Sequence, residues 1–193
     1  MISQLRSAPN LLTLLRLIFI PFIVIAVLER HYAWALGLFF AAGISDGLDG
    51  LLARLLKQKT VLGQYLDPIA DKLLLSTMFI VLAATHRLLW RVTVLVFARD
   101  ILILIVCALL YMTGALKIFR PSIFGKANTL AQIVTVPLVL LYEVWKEPWI
   151  GTAKTIGVYS TIALTVISGV HYVVRVAFDL HRTSSRSAGV QQS

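Results

Sequence analysis

Asp46, Asp49, Asp67 and Asp71 stand in one stretch, SDGLDGLLARLLKQKTVLGQYLDPIADK, Ser45 to Lys72, between two long apolar runs. Burying a core explains none of them. Asp46 and Asp49 are three residues apart, and Asp67 and Asp71 four apart, so on helices each pair shares a face. Carboxylates converging on one spot repel unless cations sit among them, and such hard oxygen donors suit Mg²⁺ or Mn²⁺. Gly47, Gly50 and Gly63 are costly in helix interiors relative to alanine, and make sense where a ligand must approach the backbone. Arg54, one turn after Gly50, can hold a phosphate bidentately. Any one of these residues has a plainer reading: a buried Asp can pair with an Arg, and a Gly can let helices pack closely. Together they point to metal-assisted phosphate chemistry.

The elements that must position them are membrane helices. The chain has 193 residues, of which 59% are hydrophobic and only 14% charged. Its mean hydropathy is +0.86. That is the composition of an integral membrane protein rather than a soluble domain. Six apolar stretches predict an all-α fold of six transmembrane helices: Asn10 to Leu28, Tyr32 to Leu56, Leu62 to Thr85, Leu88 to Ala115, Ala127 to Trp145 and Thr152 to Leu180. The connections between them are too short to hold a soluble domain, so any chemistry comes from the helices and their ends. The opening MISQLRSAP is expected to be a short interfacial segment and not a cleavable signal. Residues 1–180 form the expected membrane domain, and 181–193 a polar, disordered tail. Cys107, the single cysteine, lies in an apolar run and offers no disulfide or thiolate metal site.

The net charge of +9 is scattered among apolar segments, which suits anionic lipid headgroups and excludes a nucleic-acid face. Arg6, Arg54, Lys57, Lys59, Lys117, Arg120, Lys126, Arg182 and Arg186 gather on one side, and Arg30, Arg87, Arg91, Lys146 and Lys154 on the other. The first set is expected to be cytoplasmic, with both termini inside. Glu29, Glu143, Glu147 and Asp179 are expected at span ends, within reach of water. Asp46, Asp49, Asp67, Asp71 and Asp100 fall inside spans, where an ionisable residue implies function.

The stretch fits, without a mismatch, the signature D-x2-D-G-x2-A-R-x8-G-x3-D-x3-D, through Asp46, Asp49, Gly50, Ala53, Arg54, Gly63, Asp67 and Asp71. In this it resembles the CDP-alcohol phosphatidyltransferases, and the resemblance covers the chain up to about Leu180. It implies a six-helix membrane enzyme in which an alcohol attacks the lipid-side phosphate of CDP-diacylglycerol and CMP leaves. It implies two divalent ions held by Asp46, Asp49, Asp67 and Asp71, with Asp71 also the base for the acceptor hydroxyl. Gly50, Ala53, Arg54 and Gly63 resemble the part of the motif that receives the CDP moiety. It further implies a homodimer in the bacterial cytoplasmic membrane, with the active site on the cytoplasmic side.

PNLLTLLRLIFIPFIV, Pro9 to Val24, is similar to the opening of the family's phosphatidylglycerophosphate and cardiolipin synthases. Asn10 and Thr13 share a helical face there and can reach a phosphate or ribose, or simply cap the helix. Arg16, a turn deeper, is expected to partner an inward Asp. A glycerol-3-phosphate acceptor needs a second cationic pocket, for which Arg99, Arg120 and Lys126 are available. The pieces RD and GK-x-x-T-x-x-Q resemble phosphatidylglycerophosphate synthases, although apolar residues around Cys107 stand where that subfamily often has another Arg. Asn128, where a Lys is common, resembles instead the cardiolipin synthases, whose acceptor is phosphatidylglycerol. Glycerol-3-phosphate is the first expectation and phosphatidylglycerol the second. A small proton-coupled transporter would also place Asp and Arg in membrane helices, but has no need of this motif.

Overall fold

The computed structural model describes the backbone over 8–55, 61–112 and 123–190, and side chains over 15–45, 69–106, 108, 112 and 123–174. The described residues form six helices and no strand. They are α1 (Ala8–Leu28), α2 (Tyr32–Leu55), α3 (Val61–Ala84), α4 (Trp90–Met112), α5 (Ile123–Trp145) and α6 (Pro148–Val190). Each falls on one of the apolar stretches. α4 begins at Trp90 rather than Leu88, while α5 begins at Ile123, a turn before Ala127. Most of the expected N-terminal interfacial segment lies outside the described residues. The polar stretch 181–190, expected to be disordered, continues α6 as helical backbone to Val190. Once a long span has supplied the nucleus, each further residue needs only propagation.

α1 packs against both α2 and α3, α5 against α6 and α2, and α4 against α6, with sparser contact between α3 and α4. The apolar core is built from Ile23 and Val27 of α1, Phe39 of α2, Met78, Phe79 and Leu82 of α3, Val92 of α4, and Val139 and Leu140 of α5. These positions gather toward the turns at 29–31, 85–89 and 146–147. The buried polar residues Arg16, Arg99, Asn128, Gln132, Thr165 and Ser168 lie farther from those turns. The interior is therefore graded, dry at one end and polar toward the other.

The dry end has tightly made turns. Arg30, His86 and Lys146 follow the C-termini of α1, α3 and α5 with positive φ of 63°, 59° and 49°. At the first two, the amides of His31 and Arg87 reach back to the carbonyls of Ala26 and Leu82 at 2.8 Å, closing Schellman caps. The α5–α6 interface is held by polar pairs. Thr135 and Thr161 hydroxyls lie 2.9 Å apart, and Thr165 donates to Asn128 Oδ1 at 2.8 Å. Hydrogen bonds of this kind join helices where apolar burial alone gives little drive.

α5 and the 148–174 portion of α6 are long and apolar enough to cross a membrane, by length and composition. Leu15–Leu28 and Tyr32–Ser45 are shorter apolar helical stretches. Large apolar side chains including Ile18, Phe22, Phe40, Ile80, Ile105, Leu130 and Val170 are turned outward rather than into the core.

Candidate active site

Asp71 is the one member of the aspartate set whose side chain is described. It sits on α3 and accepts a hydrogen bond at 2.5 Å from Arg16 Nη1 on α1, as the sequence expected of Arg16. The two ends of this ion pair differ in environment: the Arg16 side chain is 1% exposed and that of Asp71 47%. Because α1 lies against α3, it carries a rigid, buried guanidinium to a carboxylate that still faces solvent. A carboxylate oriented from behind and open in front suits a hard-cation ligand or a proton acceptor.

Asp46, Asp49, Gly50, Ala53 and Arg54 fall on the last part of α2, Gly63 and Asp67 on the first part of α3, and Asn10 and Thr13 on the first part of α1. Their side chains lie outside the described residues, and Arg120 lies outside them altogether. Among the described residues no three Asp, Glu, His or Cys side chains form a metal-binding group. The donor chemistry nonetheless fits a divalent ion, since Asp71 presents a half-exposed carboxylate and its three companions are also oxygen donors.

A second charged cluster joins α4 to α3 and α6. Arg99 is buried, with Nη1 donating to Asp100 Oδ1 at 2.9 Å and Nη2 to Ser168 Oγ of α6 at 2.8 Å. Lys72, the residue after Asp71, forms an ion pair with Asp100. The cluster thus links α3, α4 and α6, and carries two cations against one carboxylate. Arg99 also lies over the Tyr172 ring, 5.8 Å from its centroid. Its guanidinium passes so close to α5 that a Cβ on Gly125 would stand 3.1 Å from Nη2, which makes glycine the fitting residue there. Lys126 follows Gly125 and is exposed, so α5 brings it beside the Arg99 region. The sequence reading singled out Arg99 and Lys126 but gave no role to Lys72, Ser168 or Tyr172. Pairings across tens of residues carry no local signal.

Asn128 and Gln132, a turn apart on α5, are buried, and their Nδ2 and Nε2 atoms have no partner among the described residues. Such donors normally meet water or ligand. Glu143 departs from expectation: its carboxylate is only 5% exposed, because Arg87 from the α3–α4 turn covers it at 2.8 Å.

The described helices thus form a bundle with apolar outward faces that carries the Arg16–Asp71 ion pair between α1 and α3 and a second charged cluster at Lys72, Arg99 and Asp100. The family model for CDP-alcohol phosphatidyltransferase matches residues 6–177, and the chain belongs to that family. It is 34% identical over 189 residues to a probable phosphatidylglycerophosphate synthase of Mycobacterium tuberculosis, covering 92% of this chain and 85% of that one. A CDP-diacylglycerol–glycerol-3-phosphate 3-phosphatidyltransferase of Salmonella choleraesuis is 34% identical over 182 residues, covering 90% and 97%. A putative cardiolipin synthase of Mycobacterium bovis is 34% identical over 140 residues, covering 72% and 66%.

Proposed function

We propose that this chain is an integral membrane enzyme of phospholipid synthesis that transfers a phosphatidyl group from CDP-diacylglycerol to glycerol-3-phosphate, giving phosphatidylglycerophosphate and CMP. The observation that carries the reading is the oriented Asp71 carboxylate within the eight-position motif, in a chain matched to the family over 6–177. Glycerol-3-phosphate stays ahead of phosphatidylglycerol because relatives named for phosphatidylglycerophosphate synthesis and for glycerol-3-phosphate align over 85% and 97% of their length, against 66% for the relative named for cardiolipin. In this reading all six helices span the bilayer, 1–180 is the membrane domain, 181–193 is a polar extension, and termini and active site are cytoplasmic. The apolar outward faces support embedding.

Asp46, Asp49, Asp67 and Asp71 would hold two Mg²⁺ or Mn²⁺ ions. When bound, these would offset the pyrophosphate charge and make CMP a better leaving group. Arg54, Gly50, Ala53 and Gly63, with Asn10 and Thr13, would receive the CDP moiety. Asp71, held by Arg16, takes the proton of the acceptor hydroxyl. That oxygen bonds to the lipid-side phosphorus as the phosphorus–oxygen bond to CMP breaks. Arg99, Arg120 and Lys126 would meet the acceptor's own phosphate, with Lys72 and Asp100 fixing Arg99.

Purified protein given CDP-diacylglycerol and Mg²⁺ is expected to release CMP with glycerol-3-phosphate and to stop on chelation. Asp46→Asn, Asp49→Asn, Asp67→Asn and Asp71→Asn should each lose most turnover. Near-normal rates in any two of them would rule out the two-ion site. Cardiolipin formed from phosphatidylglycerol, with no product from glycerol-3-phosphate, would replace the acceptor. A homodimer is also proposed, since α3 and α4 touch each other only sparsely and leave Ile69, Leu73, Ile101 and Leu104 exposed. Only monomer by native mass spectrometry across mild detergents would count against it.

A further inference from the structure

The dry end of the bundle, opposite the motif, holds an open groove of about 290 Å³ lined by Arg87, Leu88, Lys154, Val158, Tyr159 and Ile162 among others. The reaction has no use for it. Arg87 is fixed there: Nη1 pairs with Glu143 at 2.8 Å, and Nε donates to the Tyr32 hydroxyl at 3.0 Å. Lys154 Nζ lies 4.7 Å from the centroid of the Tyr142 ring and makes no ion pair among the described residues. Two cations thus face one carboxylate, leaving one positive charge in surroundings too apolar to screen it well.

Two further observations identify what balances it. All four tryptophans of the chain, Trp34, Trp90, Trp145 and Trp149, lie at this end of the bundle and are 74%, 50%, 61% and 67% exposed. Exposed tryptophans gathered at one level mark the headgroup region of a bilayer. Lys154, Val158 and Ile162 then form a stripe at four-residue spacing along α6, running away from that level. At 1.5 Å per residue, Ile162 is about 12 Å deeper than Lys154. The groove therefore offers a cation at headgroup depth and an apolar wall at acyl-chain depth.

We propose that this groove is a binding site for an anionic phospholipid, with its phosphodiester between Lys154 and Arg87 and one acyl chain along Val158 and Ile162. A headgroup of net charge −1 neutralises the site, and a zwitterionic one does not. The site rests on the membrane-spanning reading and not on the reaction. Protein that stayed monodisperse without detergent would sink the membrane reading itself, whereas the measurements below, made in detergent, test only the lipid site.

Delipidated full-length protein in neutral detergent is titrated by native mass spectrometry with phosphatidylglycerol and, separately, with phosphatidylethanolamine of the same chains. Wild type is expected to prefer phosphatidylglycerol, and Lys154→Gln to weaken that lipid by about fivefold, the effect of one interfacial charge, while leaving phosphatidylethanolamine unchanged. Lys154→Arg should keep the preference, and Ile162→Trp, which fills the wall, should weaken both lipids. CMP release should be unaffected by Lys154→Gln. Equal binding of the two lipids by wild type, or an undiminished preference in Lys154→Gln, would overturn the site. Displacement of the lipid by an equal concentration of inorganic phosphate would overturn the lipid assignment.

Discussion

In the proposed reaction, Arg16 is the side chain on which the role of Asp71 most directly depends. A guanidinium 1% exposed, fixed by packing, sets the direction of a carboxylate left 47% exposed. Lysine would keep the charge but lose the planar fork that defines that direction. Arg16→Lys is therefore expected to fold normally and to lower kcat about ten- to a hundredfold through misplacement of the base, with the KM for CDP-diacylglycerol little changed. Circular dichroism melting beside initial-rate measurements would check both halves. A KM effect with intact kcat would mean that Arg16 binds substrate rather than positions Asp71. The same reasoning separates Arg99 from Lys126. Arg99 is engaged with Asp100 and Ser168, so Arg99→Ala should lower stability as well as acceptor affinity, while exposed Lys126→Ala should raise only the acceptor KM.

At the scale of elements, the three turns at the dry end use basic residues where glycine is the usual choice. His86 holds φ of 59°, a left-handed conformation that costs a residue with a Cβ roughly 1 to 2 kcal/mol. His86→Gly should relieve part of this and raise the thermal midpoint in detergent by a few degrees. A lowered midpoint would show that the imidazole itself holds the turn. The six helices were legible because apolar runs about 20 residues long, broken by short charged connections, leave few alternatives. The motif was legible because its spacing matches helical faces. The Lys72–Asp100–Arg99–Ser168 chain was not, because it depends on how α3, α4 and α6 meet. Glu143 was misplaced for the same reason: its position near a helix end suggested water, and only the turn carrying Arg87 buries it.

For the whole molecule, charge and packing are polarised along one axis. Cations at both ends blur the usual bias of Lys and Arg toward the cytoplasm, but three of those at the dry end have a local structural setting. Arg30 and Lys146 occupy helix-terminal turns, where a cation also favours the negative end of the helix dipole, and Arg87 is tied to Glu143. Lys57, Lys59 and Lys117 lie outside the described residues; by sequence they fall between the apolar stretches, where such charges act as topogenic signals. With these weighted, the proposed orientation puts the motif end on the cytoplasmic side. Cys107 is the sole native cysteine, so a Cys107→Ser background allows single cysteines to report side. A membrane-impermeant maleimide added to intact cells is expected to label His86→Cys and Lys146→Cys, and to label Lys57→Cys and Lys117→Cys only after the cells are opened. The reverse pattern would put the aspartates outside, away from the cytoplasmic supply of activated lipid and polar acceptor, and the proposed reaction could not proceed as drawn. Labelling of all four in intact cells would break the six-span threading itself.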